Sequence, residues 1–247
     1  MRVHQQPAYV LLNRPYSESS WIVEIYSKDY GRLALMAKGA RRIKSKLKGV
    51  LLPFQPLLLS WVGKGEIPTL TSAEIQVAEI NMIDREMKGD QLVCGFYCNE
   101  LILYLLHRHD PHQRLFDRYH QTMIGLYDPE SVINELSLAN TLRDFEQMMI
   151  KETGYEVSFH YEVDGKTGIR QEFYYQFQHG QGFIRSHQNN THAISGKTII
   201  ALQQNNKNTL NQHDMTLSKH LMRDILSQNL GYKKINSRDL FYPKHRQ

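Results

Sequence analysis

The stretch KGARRIKSKLKG, residues 38–49, carries six cationic side chains and no acidic one. Lysine and arginine at this density neutralise phosphates, so the stretch predicts contact with a polyanion such as nucleic acid. If it is extended, Lys44, Lys46 and Lys48 point the same way, about 6.6 Å apart. If it is helical, Arg41, Lys44 and Lys48 share a face. A well-solvated loop is the alternative that charge alone leaves open.

The charge of the whole chain is unevenly distributed around a net value of +5. Residues 1–80 hold 11 Lys and Arg against 6 Asp and Glu, residues 81–160 hold 7 against 13, and residues 161–247 hold 12 against 6. Basic ends around an acidic middle indicate a polyanion-binding surface built from both ends. The alternative is that charged residues are distributed unevenly over the surface without a binding role.

Aromatic residues are interleaved with the cations of the first 65 residues. Proteins that hold single-stranded nucleic acid combine a cationic groove with rings on which bases stack. Tyr26 and Trp61 lie in apolar segments, so we expect them to pack in the core. Tyr30 lies in a turn and is the better stacking candidate. The predicted DNA-binding residues of this region are Arg32, Lys38, Arg41, Arg42, Lys44, Lys46, Lys48 and Tyr30.

Arg143 stands at the edge of a predicted apolar helical face that includes Leu142 and Phe145. Its guanidinium can form bidentate hydrogen bonds to a carboxylate while the aliphatic part of the side chain packs on the hydrophobic neighbours. An ion pair with Asp144 or Glu146 is the alternative, and such a pair adds little stability if it is exposed.

Motifs for catalysis or metal binding are not found. GKT at residues 196–198 resembles the end of a phosphate-binding loop, but Thr191 stands where that loop needs glycine, so GKT predicts a helix start. HRHDPH at residues 107–112 brings histidines together, yet a polar link between helices is the simpler interpretation. Cys94 and Cys98 share one face of a buried helix and are expected to act as small hydrophobes. No cofactor and no metal are therefore predicted.

Composition indicates a globular protein, with 41% hydrophobic and 22% charged residues. The longest apolar run, residues 101–106, is too short to cross a membrane. The N-terminal residues lack the features of a signal peptide, and two cysteines allow no disulfide framework. We therefore expect a cytoplasmic protein without a membrane partner.

Residues 1–80 read as five strands separated by turn signals, which predicts a five-stranded OB barrel. The segments are Ala8–Asn13, Ser20–Ser27, Gly31–Lys38, Phe54–Gly63 and Ile67–Ile75. Helical periodicity follows at residues 91–107, 112–127, 130–155, 196–205 and 214–231. The predicted fold is α+β, with an OB domain at 1–80 and a mainly helical domain at 81–247. An irregular, cysteine-free insert is expected at about 159–194.

Several stretches, which together span most of the chain and occur in the same order, resemble the bacterial recombination mediator family RecO. They include AYVLLNRPYSESSWIVEIYSKDYGRLALMAKGARR, LKGVLLPFQPLLLSWVGKGEIPTLTSAEI, TLRDFEQMMIKETGY and LGYKKINSRDLF. The resemblance implies a nucleoid-associated protein that is not an enzyme and binds single- and double-stranded DNA. It also implies annealing of complementary strands and binding to the acidic C-terminal tail of single-strand binding protein (SSB). With the partner RecR, such a protein helps to load RecA onto SSB-coated DNA.

The resemblance also assigns roles to particular residues. The loop from Arg41 to Lys48 matches the DNA-contacting segment of the family. Arg143, with Leu142, matches the position associated with the SSB tail, where it would pair with the terminal carboxylate. Lys233, Lys234 and Arg238 become further DNA candidates. Many relatives carry a four-cysteine zinc module, but residues 159–188 contain no cysteine, so structural zinc is not expected.

Two other functions stay open at this point. A metal-dependent nuclease would use acids and histidines that are scattered along the sequence. An interaction adaptor would touch DNA only incidentally.

Overall fold

The computed structural model describes residues 1–76, 87–128, 135–154, 157–188, 190, 192–204, 210–231 and 233–240. The chain forms two compact units, Met1–Leu138 with Ile235–Gln247, and Ala139–Lys234. The sequence predicts a domain boundary at residue 80 instead, and that boundary stays a prediction. No helix in the described ranges is long and apolar enough to cross a membrane.

The first unit contains the predicted barrel. Its strands are β1 Arg2–Pro15, β2 Trp21–Ser27, β3 Gly31–Ala37, β4 Leu57–Val62 and β5 Thr69–Ile75. They close in the order β1-β2-β3-β5-β4, with β1 antiparallel to β4, which is the strand order of an OB fold. Alternate side chains fill the interior because successive residues of a strand face opposite sides. Val23, Ile25 and Trp61 are buried there, as expected for Trp61.

Five helices lie at the positions predicted from the sequence: α2 Asp90–Leu105, α3 Gln113–Tyr127, α4 Glu135–Glu152, α5 Gly196–Gln203 and α6 Gln212–Asn229. The short helix α1 Leu47–Val50 and a 3₁₀ helix at Asn236–Leu240 were not among the predicted helices. The predicted helix ends at residues 130, 155 and 205 lie outside the described residues. Cys94 and Cys98 are buried free thiols in α2, as expected.

The predicted insert of the second unit contains a small antiparallel sheet that the sequence did not suggest. Its strands are β6 Tyr174–Gln178, β7 Gly182–Ser186 and β8 Ile194–Ser195, in the order β7-β6-β8. Tyr175 and Phe183 are fully buried, and the Tyr175 hydroxyl accepts a hydrogen bond from the backbone N–H of Arg170 at 3.0 Å. The segment predicted to be irregular therefore contains regular secondary structure.

The start of α5 confirms the interpretation of GKT as the beginning of a helix. Ser195 is the N-cap, and its Oγ accepts the backbone N–H of Thr198 at 3.1 Å. A Cβ placed on Gly196 would lie 1.9 Å from the carbonyl oxygen of Arg170. Glycine is therefore required here by close backbone contact, not by phosphate binding.

Candidate nucleic-acid interface

The basic loop, defined here as residues 38–49, is built from consecutive turns. Backbone N–H groups of Arg42, Ser45 and Lys48 donate to carbonyls three residues earlier, at 3.1, 3.0 and 3.3 Å. Only Leu47–Val50 is helical. Neither the fully extended nor the fully helical geometry considered from the sequence is therefore correct for the whole loop.

Apolar residues fix this loop to the barrel and leave its cations in solvent. Ala40 is fully buried in the barrel core, and Leu47 and Val50 pack partly against the same core. Because Ala40 and Leu47 face inward, the charged side chains around them face outward. The exposed cations are Lys38, Arg41, Arg42, Lys44, Lys46 and Lys48.

Arg41 differs from the other cations because it joins the basic loop to the turn between β1 and β2. Its backbone N–H donates to the carbonyl of Ser19 at 3.0 Å, and its guanidinium donates to the carbonyl of Ser17. In the described part of the chain, the remaining five cations make no side-chain hydrogen bond or ion pair. They are consequently available to phosphates.

The outer face of β1 and β2 is covered by α3. The Tyr9 ring lies 5.0 Å from Tyr119 in an edge-to-face arrangement, and the Tyr26 ring lies 5.4 Å from Phe116. The Tyr26 hydroxyl also donates to the carbonyl of His112 at 3.1 Å. OB folds bind oligonucleotides across the face of strands 2 and 3. Here the Tyr9 and Tyr26 rings are packed against α3, so they are not available for stacking on bases.

The link between α2 and α3 contacts the start of β3. The backbone N–H of His109 donates to the carbonyl of Arg32 at 2.9 Å. Gly31 adopts a φ of +64°, and a Cβ at that position would lie 2.2 Å from the carbonyl oxygen of Asp110. Only glycine allows this close approach of the link to the first residue of β3.

Arg32, a predicted DNA contact, forms a hydrogen bond within the first unit. Its Nη1 donates to the carbonyl of Leu103 at 2.9 Å, near the end of α2, where helix carbonyls lack intrahelical partners. Burial lowers the pKa of the Arg32 guanidinium from its ordinary value, while Glu24 opposes the change. Arg32 lines a cavity of about 790 Å³ together with Arg14 and Arg108. The structure does not group it with the exposed loop cations.

Tyr30 is half-buried against the barrel core, with its ring 5.3 Å from Trp61 at an interplanar angle of 80°. Its proposed stacking role stays a prediction that this packing does not favour. Tyr26 was expected in the core and is fully buried, although on the outer face of the barrel rather than inside it.

The C-terminal DNA candidates are divided between the two units. Arg238 lies in the 3₁₀ helix of the first unit, where its guanidinium is 5.5 Å from the centre of the Tyr97 ring. Glu100 holds that helix, since its carboxylate accepts the backbone N–H groups of Asn236 and Ser237 at 3.1 and 2.8 Å. Arg238 thus has a structural contact. Lys233 and Lys234 are exposed residues of the second unit.

Arg143 lies in α4 and forms a buried ion pair. Its Nε is 2.9 Å from Glu146 Oε2, and its Nη2 donates to Oε1 at 3.0 Å. Arg143 is 5% exposed and Glu146 is 0% exposed, and Leu142 is buried as well. Of the two alternatives from the sequence, the ion pair is the geometry that forms. An external carboxylate would have to share the guanidinium with Glu146 or displace it.

The histidine-rich link does not assemble a metal site. His112 Nε2 lies 3.3 Å from Asp110 Oδ2. No three His, Cys, Asp or Glu side chains converge to hold a metal ion anywhere in the described ranges.

Two exposed residues, one beside the basic loop and one within it, were not predicted as DNA contacts from the sequence. Tyr16 lies in the turn between β1 and β2 and is 63% exposed. Ile43 lies in the basic loop and is 96% exposed. Tyr16 carries a signal in the sequence, because NRPYSES places an aromatic ring inside a turn where no strand face can bury it.

Two protein-family models match the chain, "Recombination protein O N terminal" over residues 1–77 and "Recombination protein O C terminal" over residues 88–239. Proteins named "DNA repair protein RecO" are similar over nearly the full length. The one from Nitrosospira multiformis is 39% identical, covering 97% of this chain and 95% of its own. The one from Dechloromonas aromatica is 36% identical, covering 97% and 96%. One from Coxiella burnetii is 35% identical, covering 98% and 99%.

Proposed function

This chain belongs to the RecO family of DNA repair and recombination proteins, and from that premise we propose that it anneals complementary DNA strands. The observation that supports this most is the basic loop. Five of its cations stand in solvent without partners in the described structure, on a segment that the barrel core holds in place.

Annealing by such a surface needs no catalytic residue. Two complementary strands repel each other through their phosphates, and lysine and arginine lower that repulsion by replacing condensed counterions. The protein then acts by bringing strands together while their bases remain available for pairing. A fixed loop loses little conformational entropy on binding, which favours this role.

The further steps that we propose follow from family membership. The protein engages the acidic C-terminal tail of SSB, works with RecR and promotes loading of RecA on SSB-coated DNA. We retain Arg143 and Leu142 as the proposed tail contacts. Arg143 is already paired with the buried Glu146. To bind the tail, its guanidinium must therefore either contact both carboxylates or release Glu146.

Strand annealing with labelled complementary oligonucleotides tests the proposal. The full chain is expected to raise the rate of duplex formation by about 10-fold or more over the spontaneous rate, because a cationic surface concentrates both strands. The rate is measured on bare strands and on SSB-coated strands, each in the presence of Mg²⁺ or Zn²⁺.

Faster duplex formation with intact strands would support annealing. Shortened products would contradict it and favour a metal-dependent nuclease. A rate equal to the spontaneous one on both substrates would contradict it as well. DNA binding that is undetectable or independent of salt would favour an interaction adaptor.

A further inference from the structure

The turn between β1 and β2 and the basic loop form one continuous surface in the first unit. Arg41 connects them through two hydrogen bonds, from its backbone N–H to Ser19 and from its guanidinium to Ser17. The backbone N–H of Tyr16 donates to the carbonyl of Ser20 at 3.1 Å, which fixes the turn itself. Both loops are therefore held in position before any ligand arrives.

Tyr16 places an aromatic ring on this surface. It is 63% exposed and is the residue next to Ser17, whose carbonyl accepts the Arg41 guanidinium. Tyr9 and Tyr26 are buried against α3, and Tyr30 packs on Trp61, so those rings are already engaged. An exposed ring on a turn that is bonded to a cationic loop matches the combination by which proteins hold single-stranded nucleic acid.

Ile43 places an apolar side chain at the tip of the basic loop. The Ser45 N–H bonds back to the Arg42 carbonyl at 3.0 Å, so Ile43 occupies a tight turn between exposed Arg42 and Lys44. The other apolar residues nearby, Ala40 and Leu47, are turned toward the barrel core. Ile43 is 96% exposed and contributes nothing to that core. Minor-groove-binding proteins insert apolar side chains between the base steps of duplex DNA, and an exposed apolar side chain can pack in a similar way against the already unstacked bases of a single strand.

We infer that Tyr16 and Ile43 contact unstacked bases of single-stranded DNA, Tyr16 by stacking and Ile43 as an apolar wedge, while the neighbouring cations hold the phosphates. This inference rests on the proposed DNA-binding function and adds the base-contacting residues to it. Stacking on an aromatic ring tolerates any base, so the contact distinguishes single strands from duplexes rather than one sequence from another.

Binding of the full chain to three DNA probes tests this inference. The probes are a single strand, an abasic strand of the same length and a fully paired duplex. Tyr16→Ala is expected to weaken binding to the single strand by about 5- to 100-fold, because one stacked base is lost. Its affinity for the abasic strand and the duplex, and its salt dependence, should equal those of the wild type. Tyr16→Phe keeps the ring and should bind all three probes normally.

Ile43→Ala provides an independent test, with an expected loss of about 10-fold on the single strand only, since less apolar surface is buried on binding. The matched controls are Tyr161→Ala and Val163→Ala, which alter a tyrosine and an aliphatic residue that are 46% and 45% exposed in the second unit. Both controls should bind like the wild type.

Wild-type affinity of Tyr16→Ala and Ile43→Ala for the single strand would overturn the base contacts and leave DNA binding intact. Equal losses on all three probes would also overturn them, because a phosphate contact would then be responsible. Equal losses in the two control variants would overturn the placement on this surface. Failure of the wild type to bind any probe would instead overturn the proposed function itself.

Discussion

Neutralising the exposed cations of the basic loop is expected to flatten the salt dependence of single-stranded DNA binding by up to about 3.5 units of the log K against log[salt] slope. The reason is that each phosphate contact on a single strand contributes about 0.7 to that slope. Between 50 and 200 mM salt this corresponds to about a 100-fold smaller loss of affinity than in the wild type. The five positions, each replaced by glutamine, are Lys38, Arg42, Lys44, Lys46 and Lys48.

Arg41 is kept in that variant, because its bonds to Ser17 and Ser19 hold the two loops together. The control replaces three exposed lysines of the second unit by glutamine and should leave the slope unchanged. Those lysines are Lys166, Lys197 and Lys219. A wild-type slope in the loop variant would show that the basic loop is a solvated segment that does not contact DNA phosphates. A control that loses as much slope per charge would point to a diffuse electrostatic contact.

Arg143→Ala is expected to lower the free energy of unfolding by about 3–5 kcal/mol, because it removes the guanidinium that pairs with the buried Glu146 carboxylate. Removing both charges should cost far less. Arg143→Met combined with Glu146→Leu keeps apolar volume and replaces the pair, and such replacements are commonly neutral or stabilising. Urea unfolding of the single and double variants measures the difference.

The exposed ion pair between Lys28 and Asp117 is the natural control, with a side-chain exposure of 38% and 55%. Lys28→Ala should cost no more than about 1 kcal/mol. If Arg143→Ala cost as little as Lys28→Ala, the pair in α4 would not be a buried structural contact. Because Arg143→Ala also threatens the fold, loss of function in that variant would not by itself identify a tail contact.

Glu146→Gln separates the two roles of Arg143. It keeps the shape of the side chain but removes the charge that competes for the guanidinium. If Arg143 receives the SSB tail, this variant should bind a tail peptide more tightly than the wild type. Weaker or unchanged binding would remove Arg143 from the proposed tail site.

The barrel and the helices were predictable because their signals are local. Apolar, β-branched and aromatic segments between turn signals specify β2 and β3, and helical periodicity specifies α3, each within one stretch of chain. The turn chemistry around Gly31 also marked a boundary correctly. The small sheet of the second unit was missed because β6 and β7 are five residues each and β8 only two.

The site was less predictable, since its properties depend on contacts between residues distant in sequence. The outer face of β1 and β2 packs against α3, about 90 to 110 residues further along the chain, through pairs such as Tyr26 with Phe116 and Tyr9 with Tyr119. The spacing of Arg143 and Glu146 was visible, but their burial was not. Arg32 was grouped with the loop cations on charge alone, although it faces the carbonyl of Leu103.

Amide hydrogen exchange of the full chain, with and without a single-stranded oligonucleotide, tests most directly whether the loops rather than the strand face carry the DNA. Bound DNA is expected to slow exchange in residues 38–50 and 16–20, where the turn hydrogen bonds lie. Exchange in the covered strands β2 and β3 should not change beyond that of neighbouring segments. Slowed exchange confined to other regions, with both loops exchanging as in the free protein, would contradict the account.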